Sequence, residues 1–238
     1  MQSWQDYLGK RSYPGRGIFL GLSPAGSEAI IAYFIMGRSI NSRNRIFVAE
    51  GANLRTQAYD PTKLSDPSLI IYAPVRTLGA TTIVTNGDQT DTIYNYLSRG
   101  ESWQAALATR CYEPDAPNFT PRISGLWQLA NGSCQYSLSI LKKSNATSNP
   151  DDDCQRLFWD YQPKAASGHL LHTYAADSEP LPSFAALSPI SLPTLGQIDE
   201  FGKLLWHNLN AENKVALFVR YIDLASGQTT DRIYNKNQ

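Results

Sequence analysis

Residues 29–36 form an unbroken apolar run that stops at Gly37. The next eight residues carry Arg38, Arg43 and Arg45 with Asn41 and Asn44, before Ile46, Phe47 and Val48 turn apolar again. Short continuous apolar runs bounded by turn residues predict strands covered on both faces. Residues 17–22 form a second such run, and Ser23-Pro24-Ala25-Gly26 joins the two as a hairpin. Residues 45–49 predict another strand. Asp60-Pro61 and Asp66-Pro67 punctuate a loop, and residues 69–76 pair with 81–85 across Leu78-Gly79 as a second hairpin.

Helical signals follow. Thr90 and Asp91 can cap a helix that passes Tyr94 and Leu97 and stops at Gly100, and Ser102 can cap a second over 103–110. Strands return at 123–129 and 134–141 around an Asn131-Gly132 turn. Residues 142–153 read as a long exposed loop, 157–161 and 169–174 as strands, and the proline- and serine-rich 177–194 as an irregular exposed crossing. A helix opening at Asp199 and Glu200 runs to residue 210 with Ile198, Phe201, Leu205 and Leu209 on one face. Residues 214–223 form a strongly apolar strand with 231–234 as its partner. The first twelve residues read as a polar leader. This order of elements predicts one α+β domain over 1–238, with two packed antiparallel sheets and helices outside. The absence of regular β-α alternation argues against a doubly wound sheet.

Composition narrows the classes. The chain has 238 residues, 42% hydrophobic and 18% charged, the profile of a folded protein. Lysine plus arginine equals aspartate plus glutamate at 21 each, so no overall field draws nucleic acid or a membrane. The start shows no signal-peptide core, and no apolar run reaches membrane-spanning length. Cys111, Cys134 and Cys154 are an odd count without metal-type spacing, which predicts free thiols and a cytoplasmic location.

Arginines as close as Arg38, Arg43 and Arg45 repel unless anions sit among them, and the guanidinium fork suits phosphate oxygens. A solvated turn held in surface ion pairs is the plainer alternative. The stretch Tyr13-Pro14-Gly15-Arg16-Gly17 is a tight turn that sets Arg16 just ahead of a strand. At 85–91 a strand runs out into Asn86-Gly87 before a helix begins, offering free backbone N–H groups. Asp88 and Asp91 oppose phosphate there, so a neutral polar part of a ligand is expected. Residues 112–122 form a proline-stiffened loop holding Glu113, Asp115, Thr120 and Arg122. His169 and His172, three apart in a strand, face opposite ways, and no metal site is expected. No G-x-S-x-G, Walker loop or dinucleotide fingerprint is present.

Four stretches in this order, YPGRG, MGRSINSRNR, VTNGDQTDTI and YEPDAPNFTPRISG, resemble the archaeal-type inosine monophosphate cyclohydrolase family and its bacterial relatives. The likeness is densest over residues 13–125. It implies a four-layer αββα sandwich like that of N-terminal nucleophile hydrolases. The chain begins Met1-Gln2, so their self-processing chemistry is not expected. It also implies ring closure of 5-formamidoimidazole-4-carboxamide ribotide to inosine monophosphate and water, with no metal or organic cofactor. In that likeness Arg38, Ser39, Arg43, Thr120 and Arg122 would hold the ribose phosphate, and Arg16 would join the substrate-binding set. Arg45 and Tyr72 match the catalytic centre, Glu113 is the preferred acid/base with Asp115 its rival, and Asn86 and Gly87 would hold the carboxamide or formyl group. The expected partner is a small phosphoribosyl compound, and apolar edge strands would permit a homo-oligomer. Two other readings stand beside this one: a hydrolase or cyclase of another phosphoribosyl or purine nucleotide, and a non-catalytic purine-nucleotide binder.

Overall fold

The structure, a computed structural model, describes residues 1–63, 71–130, 133–144 and 154–237. Two sheets account for its strands. The first contains β1 (Arg16–Leu22), β2 (Glu28–Met36), β10 (Ser167–His172), β11 (Ile190–Pro193), β12 (Lys214–Asp223) and β13 (Thr229–Asn235), in the spatial order β11-β10-β1-β2-β12-β13. The second contains β3 (Arg45–Glu50), β4 (Asn53–Ala58), β5 (Val75–Leu78), β6 (Thr81–Thr85), β7 (Arg122–Ala130), β8 (Ser133–Lys143) and β9 (Cys154–Tyr161), in chain order. Among the described residues every named strand pairing is antiparallel.

The apolar run of β2 lies inside its sheet, between β1 and β12. Successive side chains alternate across a strand. Ala29, Ile31, Tyr33 and Ile35 therefore enter the core between the two sheets, with Val84, Ile123, Leu138 and Phe218. Ile30, Ala32, Phe34 and Met36 enter a second core on the other face, with Trp4, Phe201, Leu205 and Leu217. Each such side chain contributes roughly 1.5–3 kcal/mol on burial. Close packing shows at Gly17, opposite Phe34, where a Cβ would fall 2.2 Å from the Phe34 ring.

Helices cover both outer faces. α1 (Trp4–Tyr7) and α5 (Ile198–Asn208) pack on the first sheet. α3 (Gln89–Ser98) and α4 (Trp103–Ala108) pack on the second through Ile93, Trp103 and Leu107. A further helix, α2 (Ile40–Arg43), is a single turn after β2. Arg220 ties the sheets together. It is 1% exposed, forms two bonds of 2.8 and 2.7 Å to Asp231, and donates at 2.9 Å to the Ala52 carbonyl. No helix among the described residues is long and apolar enough to cross a membrane.

Several sequence expectations change. The leader holds α1, capped by Ser3, and buries Trp4, Tyr7 and Leu8, because its apolar residues sit one helical turn apart among polar ones. β4 escaped notice because its exposed Arg55 and Gln57 alternate with buried Leu54 and Thr56. β5 starts only at Val75, and residues 69–70 lie outside the described residues. Ile190–Pro193 forms an edge strand within the irregular crossing, where Pro193 costs no inner ladder bond. β8 continues to Lys143, while the Asn131-Gly132 turn and residues 145–153 lie outside the described residues.

Candidate active site

One end of the two-sheet sandwich gathers the start of β1, the exit of β2, the exit of β6 and the loop entering β7. There a cleft of about 450 Å³ is lined by Tyr13, Arg16, Arg38, Ser39, Ser42, Asp115, Asn118, Thr120, Tyr174, Glu179 and Leu181. The chain leaves the sheet at Gly37, where a Cβ would meet the Ser42 backbone at 2.7 Å, so glycine lets the following turn fold back this closely. Ser39 then caps α2, its Oγ accepting from the Ser42 N–H at 3.1 Å. Arg38 lies beside this turn, 5.2 Å over the Tyr13 ring, donating to Asp177 at 3.0 Å and 3.7 Å from Glu179.

Arg16, which lines the cleft, has buried neighbours outside that lining. Tyr33 on β2 and Tyr72 share a hydroxyl–hydroxyl hydrogen bond of 2.8 Å, and both are buried. Tyr72 is outside any strand, yet Thr56 of β4 fixes its backbone, with Oγ1 accepting from the Tyr72 N–H at 2.9 Å. Arg45 opens β3, is 1% exposed, and donates from Nε to the Ser42 carbonyl at 2.9 Å. Burial and the neighbouring Arg16 push its pKa down, while Tyr72, Tyr33 and Tyr13 oppose them. Burial also pulls on Arg16, but Tyr174, Tyr13, Glu113 and Tyr72 outweigh it and the net direction is up. Burial raises Tyr72, with Arg45 and Arg16 opposing.

Glu113 follows α4 and is 5% exposed. Burial raises its carboxyl above the usual range, against the pull of Arg16 and Arg122. A Cβ on Gly87 would fall 2.6 Å from Arg122 Nη1 and 2.7 Å from Gln89 Oε1, so glycine is what leaves that pair in place, while Glu113 Oε1 stands at an ordinary contact distance of 3.5 Å. Asp115 is employed differently. It accepts from the Thr120 N–H at 2.6 Å and from the Thr120 hydroxyl, closing the 115–120 loop. Thr120 also bonds Tyr174 Oη at 2.6 Å.

The predicted residues thus divide. Arg16, Arg38, Ser39, Asp115 and Thr120 line the cleft, and Arg45, Tyr72 and Glu113 act on Arg16 electrostatically or share its surroundings. Arg43 is drawn away, donating to the Gly37 carbonyl and to Asn213 Oδ1, both at 2.9 Å. Asn86 has its amide committed, since Oδ1 accepts from Ile123 N–H at 2.8 Å and Nδ2 donates to Pro121 O at 2.9 Å. Arg122 donates to Asp88 at 2.7 Å and Gln89 at 2.8 Å beneath Gly87. Sequence reasoning missed Tyr13, Tyr33, Ser42 and Tyr174. Tyr13 opens the YPGRG stretch and Tyr33 carries a hydroxyl within an apolar run, the two signals that could have found them.

The family model for IMP cyclohydrolase-like protein matches residues 13–233. The chain belongs to this family. Its motif-bearing IMP cyclohydrolase-like region accounts for the whole cleft, from Tyr13 to Leu181. An IMP cyclohydrolase of Methanothrix thermoacetophila is 30% identical over 118 residues, covering 48% of this chain and 57% of that protein. Another, from Methanopyrus kandleri, is 34% identical over 116 residues, covering 47% of this chain and 57% of that protein. The chain therefore spans little more than half the length of the curated relatives it matches.

Proposed function

We propose that the protein is an IMP cyclohydrolase that closes the purine ring of 5-formamidoimidazole-4-carboxamide ribotide. Its helix-covered pair of sheets is read as the four-layer αββα sandwich of N-terminal nucleophile hydrolases. The observation that carries the activity is a cleft lined by Arg16, Arg38, Ser39 and Ser42, with Arg45, Tyr72 and Glu113 buried in the electrostatic neighbourhood of Arg16.

Arg38 and the two serine hydroxyls take the phosphate, which places the imidazole towards the base. The carboxamide nitrogen attacks the formyl carbon, a C–N bond forms, the formyl oxygen gains protons, and the C–O bond breaks to release water. Holding both groups at attack distance supplies much of the acceleration, since the step is intramolecular. Arg45 and Arg16 stabilise the developing oxyanion, and the Tyr72 hydroxyl, oriented by Tyr33, donates to it. Glu113 removes the amide proton and returns one to the leaving oxygen. A buried carboxyl with a raised pKa suits that exchange near neutral pH. Asp115, committed to Thr120, positions the loop. Arg43, Asn86 and Arg122 act as supports, with Arg122 and Asn86 setting the Gly87 turn beside Glu113.

The test is absorbance-monitored conversion of the formamido ribotide to inosinate in chelator, with Glu113→Gln and Arg45→Ala alongside. Turnover that persists in chelator and falls 10²–10⁴-fold in Glu113→Gln, as expected for loss of an acid/base group, supports the assignment. Inosinate binding without turnover by the intact protein would replace it with a nucleotide binder.

A further inference from the structure

We propose that Cys111 and Cys154 form a reversible dithiol–disulfide pair that controls the loop carrying Glu113. Cys111 is exposed and precedes Glu113 by two residues, and Cys154, partly buried, opens β9. One guanidinium joins the backbone just before Cys111 to that of Cys154. Arg156 donates from Nη2 to the Arg110 carbonyl at 2.6 Å and from Nη1 to the Cys154 carbonyl at 3.2 Å, with Nε on Leu107 O at 3.3 Å. Cys154 packs on the cluster that holds Trp103, Ala106 and Leu107 of α4, and the electrostatics of its thiol respond to Cys111 as a side-chain partner and to the Tyr112 backbone. Cys134 is an internal control. It lies nine residues along β8 from Lys143, the register partner of Cys154, which is roughly 30 Å of strand.

The oxidant is a hydroperoxide. The exposed Cys111 sulfur attacks a peroxide oxygen, the O–O bond breaks, and Cys111 becomes a sulfenic acid as one water leaves with hydrogen peroxide. The Cys154 sulfur then attacks Cys111, the S–O bond breaks, the S–S bond forms, and a second water departs. Two thiols lose two electrons and two protons, and the peroxide is reduced to two waters. Burial and then Cys111 push the Cys154 thiol up to about 11, so at neutral pH it keeps its proton.

A disulfide brings the sulfurs to about 2.0 Å, closer than any hydrogen-bonded contact. Closure therefore draws Cys111 towards β9, and Glu113 moves with it. This consequence rests on the catalytic role proposed for Glu113, where a displacement of about 1 Å is worth on the order of 10²-fold in rate.

The experiment treats the full chain with hydrogen peroxide, counts free thiols, maps cross-linked peptides by mass, and follows kcat before and after dithiothreitol. Expected are loss of two thiols of three, a Cys111–Cys154 peptide that also forms in Cys134→Ser, and a fall in kcat of at least tenfold that dithiothreitol reverses. Cys154→Ser should give an oxidised Cys111 without a cross-link. Three surviving thiols, a cross-link through Cys134, or a Cys111–Cys154 bond that leaves kcat unchanged would overturn the proposal. Should the reduced protein show no turnover, the catalytic reading fails separately. The cross-link is then still scored by mass, and a change of at least fivefold in inosine monophosphate affinity replaces kcat as the readout.

Discussion

Acidification isolates one buried histidine behind the cleft. His172 is 1% exposed, and its Nδ1 faces the Tyr174 carbonyl at 2.9 Å. A carbonyl only accepts, so Nδ1 carries the proton and Nε2 accepts from the Tyr7 hydroxyl at 2.7 Å. The Phe184 ring stands edge-on at 4.9 Å, and Arg11 adds a positive charge nearby. Burial, helped by Arg11, pulls the imidazole from the ordinary 6.5 to about 3. Between those values the unfolded chain binds a proton that the native chain refuses. The stabilisation from a neutral His172 is therefore complete above pH 6.5 and is lost as pH falls through 3, at about 1.4 kcal/mol per pH unit. From pH 7 to pH 4.5 the loss is about 3 kcal/mol. The assay is urea unfolding followed by tryptophan fluorescence at both pH values, for the wild type and His172→Gln. The glutamine amide keeps one donor and one acceptor but does not titrate, so subtraction removes the carboxylates that protonate over the same range. The wild type should lose about 3 kcal/mol more than the variant. Parallel pH dependence in the two proteins, within about 0.5 kcal/mol, would refute the argument.

Glu113 predicts the opposite sign. Its folded pKa is raised, so its ionisation weakens the fold as pH rises through that value, and Glu113→Gln should melt above the wild type at pH 7 with the gap closing below pH 4.5. Gly87→Ala would drive Arg122 Nη1 from a 2.6 Å overlap and disturb Glu113, so kcat should fall by roughly 10²-fold in the absorbance assay. In the proposed phosphate site Asp177 would compete for Arg38, in a pair whose side chains are 29% and 27% exposed. Asp177→Asn should lower KM by up to about fivefold with kcat unchanged, as expected for a pair worth about 0–1 kcal/mol. Asp231→Ala leaves the Arg220 guanidinium buried without its carboxylate, and denaturant titration should show a loss of about 3–5 kcal/mol.

Much of this protein was legible in one dimension. The run over 29–36 has no polar face, which demands cover on both sides, and β2 has it from two cores. Ser102 before an apolar turn announced α4, whose capping bond from Ala105 N–H measures 3.1 Å. Motif order carried the family, because those stretches are local in sequence. The fates of the arginines were not legible. Arg38, Arg43 and Arg45 share charge, length and neighbourhood, yet one meets Asp177, one Asn213, and one turns inward among Tyr33, Tyr72 and Arg16. Asn86 and Glu113 changed weight for the same reason, the asparagine spending its amide on Pro121 and Ile123 while the carboxylate stays beside Gly87. Hydrophobic period and capping depend on residues a turn or a pleat apart, so the chain alone determined most of the strands and helices, though not α1, α2, β4 or β11. The partners of Arg38 and Arg43 lie 139 and 170 residues away, and only the packing of the two sheets decided which charges face the cleft and which hold it together.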